Sequence, residues 1–512
     1  MRFGTRLNVY SRDTAAVHKG GLMASDKASD KEFKITYNFT GIADKLRALG
    51  YKTVPAAFYS YIEVWRSWYQ GFVKSFHQYQ VYNGQKQVDC TKCTAGMAKK
   101  AAEDWADLLM NEKVVITLEG DAEQEFWDDF CKANNFTRMS NNYEELTFAL
   151  GTTAQVVRVS GLTVNEDGEQ EEAAKELKLD FVMADGIFPL SWENGIVSEC
   201  AFATNRVVKN HKYIYLQIHE MADDNTYDIK NYLFENDEGA INEVDITSVE
   251  GFENVPEVFH THSDKKLFVI NTPNIVNTID PTIPLGISVY ANAIDQLKNC
   301  DNVFDSFNME FMLGRKRIMV KPEATKGLDG EQLFDANDLV FYILPEDSQN
   351  GSTVQEIQST LRVAEHNTGM QMALNMLSMK CGFGDNHWKF DAGNITTATQ
   401  VISANSDMFR TIKKHEIILE EVLTELVQIV LRMGNTFMGQ SLNEDVEISI
   451  DFDDSIVEDE ATDFSRDMQL LTAGIKNPYE VRMTWLNEDE ETAKENLPKM
   501  EEMVEEPPDD EE

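Results

Sequence analysis

Tyr290, Ile294, Leu297, Cys300, Phe304, Phe307 and Phe311 recur every three or four residues, a period that an α-helix gathers onto one apolar face. The run predicts a helix of about 25 residues, a rod roughly 35 Å long at ~1.5 Å per residue. It stops at Gly314. A second helical period runs from Val354 to about Met379 on Ile357, Leu361, Ala364, Met370, Leu374 and Leu377. Between the two lies an insert of about 40 residues whose clearest strand is Val340-Phe-Tyr-Ile-Leu344. Charge inverts where the first helix ends. Arg315, Lys316, Arg317, Lys321 and Lys326 against Glu323 give +5 − 1 = +4 within twelve residues.

The rest of the chain is organised around this unit. The first ~30 residues mix charges without long apolar runs and read as a mobile arm, with order beginning near Pro55. Phe58, Ile62, Trp65 and Tyr69 stand at helical spacing ahead of Gly71, and Met97, Ala101, Trp105 and Leu108 mark a helix from about Ala95 to Asn111. Val114–Leu118 reads as a strand and Glu123–Asn134 as a helix. From Phe148 to about Ile270 the period shortens. Ala154–Val159, Leu179–Met183, Tyr213–Ile218 and Lys266–Ile270 are β-rich runs separated by polar loops, one of which, Asn165 to Glu176, is strongly acidic. Beyond residue 380 come a Gly-rich stretch, Cys381-Gly-Phe-Gly-Asp-Asn386, and a polar segment, Asp391–Thr399. A long helix over Ala404–Met433, a strand over Val446–Phe452, an acidic helical region near Glu458–Ala473 and an acidic tail follow. No internal repeat is visible. The class is α+β.

With 88 acids against 46 bases in 512 residues, the formal charge is 46 − 88 = −42. A protein that grips nucleic acid over its surface carries a basic footprint, as does one held on anionic lipid, and this composition excludes both. A hydrophobic share of 42% is enough for a sizeable core; the length suggests about three or four structural units. No run reaches the ~18 apolar residues of a membrane span, and Met1–Glu32 has no apolar h-region, so no secretory signal is expected. Six cysteines, at 90, 93, 131, 200, 300 and 381, are too sparse for a disulfide scaffold and read as reduced thiols.

Candidate chemistry is thin. Cys90-x-x-Cys93 is half a zinc site, but no second pair stands at ribbon or finger spacing, and Cys131 and His77 would have to come from afar. A turn before the 95–111 helix is the plainer reading. His260-Thr-His262 would place two imidazoles on one side of a strand, with Asp264 as a third ligand; a solvated loop is the alternative. From Asp451 to Asp463 there are seven acids and no base. Asp451, Asp453 and Asp454 could hold a divalent cation as nucleases do, or simply form a helix N-terminus or a solvated face. The order of an EF-hand is missing. There is no phosphate-binding P-loop, nucleophile elbow, H-E-x-x-H or kinase motif set, and Gly382-Phe-Gly384 lacks the context of a dinucleotide fold.

Longer stretches carry a resemblance. Trp65-Arg-Ser-Trp-Tyr-Gln-Gly71, Phe76-His-Gln-Tyr79 and Gly96-Met-Ala-Lys-Lys-Ala-Ala-Glu-Asp-Trp-Ala-Asp-Leu-Leu-Met-Asn-Glu112 resemble the N-terminal signature of tailed-phage portal proteins, in the subgroup associated with siphoviruses of Gram-positive hosts. Tyr290–Arg317 resembles the family's first stem helix and the start of its clip. Cys381–Phe390, Thr396–Val401 and Lys413-Lys-His-Glu416 are similar to the segment around its channel loop and the long helix after it, and Val446–Ser455 with Ala473-Gly-Ile475 to its C-terminal pattern. The resemblance spans roughly residues 40 to 500 in one order.

What it implies is a portal fold. It would have a flexible arm over 1–35, a mixed α/β wing over 36–285, a stem helix over 286–314, a clip over 315–352 and a second stem helix over 353–380. A channel-loop region over 381–403, a long wing or channel helix over 404–440, a mostly helical crown over 441–490 and a disordered acidic tail over 491–512 complete it. The implied function is a ring, typically of twelve copies, at one capsid vertex, through which double-stranded DNA is packaged and ejected. The implied partners are the terminase, the head–tail adaptor, and the major capsid and scaffolding proteins; no membrane, cofactor, metal or catalytic residue is implied. The expected location is the virion vertex, after synthesis in the host cytoplasm. A carboxylate-lined channel repels phosphate, while a few cations give weak footholds. Arg315, Lys316, Arg317 and Lys321 on the stem–clip side and Lys389 near the channel loop are the candidates. The other reading of these five is that they pair with carboxylates at subunit interfaces. Another virion subunit, or a metal-dependent nuclease built on residues 451–460, are the competing functions.

Overall fold

The computed structural model describes residues 39–82, 84–111, 113–161, 163–164, 170–237, 240–314, 316–320, 341–343, 354–357, 360–385, 387–389, 398–452, 460–486, 488 and 490–497. The expected arm, most of the insert, residues 390–397, Asp453 and Asp454, and the extreme tail lie outside them.

Order starts earlier than Pro55. Helix α1 (Thr40–Ala48) buries Ile42 and Leu46, one turn apart, together with Phe39. They pack on Phe188, Ala201, Ile214, Leu216 and Phe234 of a large sheet. Short apolar clusters among charges conceal such a helix, because its two core residues satisfy one turn and no more. Helix α2 (Ala56–Tyr69) buries Phe58, Ile62, Trp65 and Trp68. Its Arg66 lies between them and forms an ion pair with Asp185, Nη2 to Oδ1 at 2.8 Å, both side chains being buried. The Trp-Arg-Ser-Trp run is therefore a packing motif. After helix α3 (Lys74–His77) comes a hairpin, β1 (Gln78–Tyr82) and β2 (Gln87–Thr91), then α4 (Met97–Leu109), β3 (Val115–Leu118), α5 (Asp121–Asn134) and α6 (Phe136–Leu150).

The β-rich part runs β4 (Thr153–Ser160), β5 (Thr163–Val164), β6 (Gln170–Glu172), β7 (Glu176–Met183), β8 (Ile187–Glu193), β9 (Ile196–Val208), β10 (His211–Met221), β11 (Tyr227–Asp237), β12 (Ala240–Val244), β13 (Val258–His260) and β14 (Phe268–Asn271). Strands β8 to β12 pair in sequence order as an antiparallel meander, with β13 added to β11; β14, β4 and β7 form a second sheet. The acidic loop after β4 carries the short β5–β6 pair. Gly151, at φ +87°, and Gly286 meet backbone to backbone, where a Cβ on Gly151 would stand 2.7 Å from the Gly286 carbonyl. That contact draws the end of α6 against the segment leading into the next helix.

Helix α7 (Ile294–Leu313) is preceded by a 3-10 turn (Ala291–Ala293), so the α-helix is shorter than its apolar period. Strands β15 (Arg317–Val320), β16 (Phe341–Ile343) and β17 (Val354–Ile357) make one sheet, β16 parallel and β17 antiparallel to β15. Residues 354–357 are thus strand, where the sequence period predicts helix; Ile357 and Leu361 supply the helical spacing, but pairing with β15 claims the backbone. Helix α8 begins only at Val363 (Val363–Lys380). Helix α9 (Ala398–Met438) is longer than expected at both ends. Strand β18 (Ile448–Asp451) pairs with β3 from the other end of the chain, and α10 (Glu460–Thr472), α11 (Pro478–Leu486) and α12 (Glu490–Glu495) follow. Helix α12 falls within the stretch expected to be a disordered tail. The strands pair mostly antiparallel, and the long run β4–β14 stands apart from the long helices α7, α8 and α9, as in an α+β chain. Among the described residues no helix is long and apolar enough to cross a membrane.

One main core joins these parts, and two histidines sit inside it. His219 on β10 is fully buried between Phe202 and Phe268. His415 on α9 lies edge-on to Trp105 and Phe148, and its Nδ1 accepts the Asn274 amide at 3.0 Å. Burial holds both imidazoles down to about 3, so the native state keeps them neutral where the unfolded chain, at ~6.5, takes up protons. Stability is therefore unaffected above pH 6.5 and falls as pH drops from 6.5 toward 3, by about 1.4 kcal/mol per pH unit for each site. His219→Phe should flatten the melting-temperature profile between pH 6 and 4 relative to the parent chain. An unchanged acid slope would refute the assignment.

Candidate functional site

Two places in the structure gather the residues singled out by sequence: the base of the insert and the turn after α8. At the first, α7 and α8 pack side by side, with Gly369 of α8 facing Val303 of α7. Their insert-side ends are clamped by a two-pronged pair, Arg362 Nε to Glu310 Oε1 at 3.1 Å and Nη2 to Oε2 at 2.7 Å. Hydrogen bonding from Arg362 pulls the Glu310 carboxyl down to about 2. Phe307 backs the pair, edge-on to Phe311 and to His366. The sequence reading missed this clamp, since nothing local links positions fifty residues apart.

The cations at this end are engaged. Lys316 Nζ sits 2.7 Å from Glu356 Oε1, across the β15–β17 ladder in the same chain. Arg317, opposite Ile357, is also partnered. Lys316 therefore has an intrachain carboxylate partner, rather than one that only a neighbouring subunit could supply. Arg315 and Lys321 lie outside the described residues.

The second place is the turn Cys381–Lys389. Gly382 adopts φ +90°, and a Cβ there would press on Thr411 at 3.1 Å and Trp105 at 3.3 Å. This close approach seats Phe383 against the Trp105 indole, centroids 4.7 Å apart, with His387 stacked on the other side of Phe383 at 4.4 Å. Trp105 donates its indole N–H to the Cys381 carbonyl at 3.0 Å. Trp388 Nε1 donates to Asp104 Oδ2 at 2.7 Å, His387 Nε2 lies 3.2 Å from the same oxygen, and Lys100 reaches Oδ1 at 2.5 Å. Burial opposes a charge on Asp104, but hydrogen bonds from His387, Lys100 and Trp388 outweigh it and hold the carboxyl below its usual range. Lys389, next in the chain, is exposed and has no ion-pair partner among the described residues. It stands beyond the far end of α8 from Lys316, a helix of ~27 Å at 18 residues. Among the described candidates, Lys316 and Arg317 stand at one end of α8 and Lys389 beyond the other.

Neither the cysteine nor the histidine metal reading finds support in the geometry, and most of the 451–460 carboxylate run lies outside the described residues. Cys90 lies on β2, whereas the Cys93 amide donates to Asp305 and the Ala95 amide to Asp301, so α7 carboxylates hold the turn ahead of α4. His260 Nδ1 faces Asp228 at 2.8 Å at the end of β13, while His262 has φ +53°. The strand alternation that would place both imidazoles on one side ends between them. Among the described residues no group of three or more His, Cys, Asp or Glu side chains could hold a metal ion.

The family model for "Phage portal protein, SPP1 Gp6-like" matches residues 51–506. No curated protein matches the chain. A solved structure described as "Neck of native GTA particle computed with C12 symmetry" is similar over 76% of this chain and 90% of that chain, at 12% identity and a TM-score of 0.35.

Asp104→Ala strips the Trp388 N–H of its acceptor in a half-buried site, at a cost of about 1–3 kcal/mol. Amide hydrogen exchange should rise across 381–389 and not across β9–β11. Unchanged exchange in the turn would show that the ring stacking alone holds it.

Proposed function

The chain belongs to the phage portal protein family, and from that premise we propose that about twelve copies form a ring at one capsid vertex, with double-stranded DNA passing along its axis during packaging and ejection. The single observation that carries the reading is the family match across nine-tenths of the chain's length, residues 51–506. The architecture is compatible with it. Helices α7 and α8 are the stem, and the sheet β15–β17 is the base of a clip that meets the packaging terminase and later the head–tail adaptor. The α+β part before α7 is the wing, facing the capsid and scaffolding proteins, and the helices after β18 belong to the crown. A portal subunit is a structural component, and the reading assigns it no catalytic residue.

The charge pattern fits a conduit that does not hold its cargo. Each phosphate gripped by a lysine or arginine releases counterions and adds affinity, so a duplex sliding at full length needs few such contacts. Lys316 and Arg317 are engaged at the stem–clip end, which leaves Lys389, beside the anchored turn, as the foothold among the described candidates. Lys389→Ala should change packaging rate or channel conductance and leave ring stability as it was. A ring that falls apart instead would identify Lys389 as an interface residue.

Negative-stain microscopy of the purified chain should show rings with an axial hole. Deleting residues 318–350 should abolish terminase or adaptor binding in a pull-down while rings persist. Retained binding would remove the insert from its docking role.

A further inference from the structure

Helix α8 is apolar on two sides, and the fold of one chain uses only one of them. Its inner side carries Ala373, Leu374 and Leu377, all in the main core. Its outer side carries Met372, Met376 and Met379, at spacings of four and three, exposed by 69, 45 and 58%. With polar neighbours along α8 and one acid, Asp385 from the turn after the helix, they line an open groove. A helix that is apolar around its circumference normally has neighbours around its circumference.

The chemistry of this groove narrows what can cover it. From Asn367 to Met379 there is no charged residue, in a chain where 26% of residues are charged and the net charge is −42. A duplex is not the occupant this face suits, since it offers no cation to a phosphate. A strongly basic partner segment would find a single counter-charge, Asp385, and an acidic one none. A second copy of this chain faces the opposite difficulty: two surfaces of one strong charge repel unless they meet where the charge is locally absent. Interface cores are depleted of charge and enriched in Met, and Met's unbranched side chain moulds to an irregular neighbour. In a ring the contact is heterologous, so the covering surface is a different one from the stripe itself.

We infer that the Met372–Met376–Met379 stripe of α8 is a contact between adjacent copies of this chain. This rests on the ring reading above and specifies where on the stem two copies touch. Packing there needs no salt bridge and is insensitive to ionic strength, unlike contacts made through the charged faces of the chain.

The test uses the full chain. Met372→Glu combined with Met376→Glu should leave helix content unchanged, because both residues are exposed, and should lose the ring in microscopy and light scattering. Met372→Leu with Met376→Leu should keep it. Rings that persist in the double glutamate variant overturn the inference and leave the portal reading intact; a parent chain that forms no ring overturns both. Peroxide oxidation of the parent protein, read by peptide mass spectrometry, gives an answer even if the glutamate variant fails to fold. All three methionines should oxidise several-fold more slowly in rings than in unassembled chains. Equal rates, or protection gained only on adding duplex DNA or a clip-binding protein, would assign the stripe to another occupant or to none.

Discussion

The Trp105 indole is where four otherwise separate pieces of chain meet. It is fully buried, stacked on Phe148 from α6 and on Phe383 from the turn after α8, edge-on to His415 of α9, and hydrogen-bonded to the Cys381 carbonyl. An aromatic of this size supplies both apolar area and a directional N–H, and here both are used. Through it the α4–α6 layer, the end of α8 and the start of the buried run of α9 become one body. The glycine at 382 and the carboxylate of Asp104 serve the same junction from either side. Helix α8, the α4–α6 layer and the turn between them are mechanically continuous because of this contact, and His415 carries it on to the Asn274 amide just after β14.

Acidity and core formation are handled in different places. The carboxylates that enter the interior have partners: Asp185 has Arg66, Glu144 accepts from Asn271, and Asp301 gathers His77, Thr94 and the Ala95 amide. Those outside have mostly water. A core of ordinary packing can therefore coexist with −42 charges, since most of the repulsion is placed where solvent screens it. Of that charge, −11 lies from residue 486 onward, where thirteen acids meet two bases.

Much of this was legible in the residues. The apolar periods of α2, α4, α7 and α9 are long enough to survive uncertainty at their ends, and β4, β7, β10 and β14 announce themselves by β-branched and aromatic runs. The α1 helix was hidden because only two large residues within it, Ile42 and Leu46, carry its apolar face. Strand β17 was hidden because Ile357 and Leu361 happen to be four apart, and local spacing cannot report that a strand forty residues upstream is waiting to pair. The family resemblance located the turn after α8, but its clamp joins Asp104 to Trp388 across 284 positions. No local pattern encodes a contact of that reach. The CxxC, the histidine pair and the carboxylate run were legible too, and the described part of the fold puts each of the first two to structural use.

The pairing of β15 with β17 sets Val320 directly opposite Val354. Two connections flank β16, which itself pairs with β15, and the β15–β17 ladder closes them at the root above helices already locked by Arg362 and Glu310. Lengthening such a loop costs little, about 0.6 kcal/mol for each doubling, and the cost does not propagate past the ladder. The chain on either side of β16 is in that sense an exchangeable cassette. Its sequence can diverge, grow or be swapped as the protein's neighbours change over evolutionary time, while the helices beneath it keep one geometry.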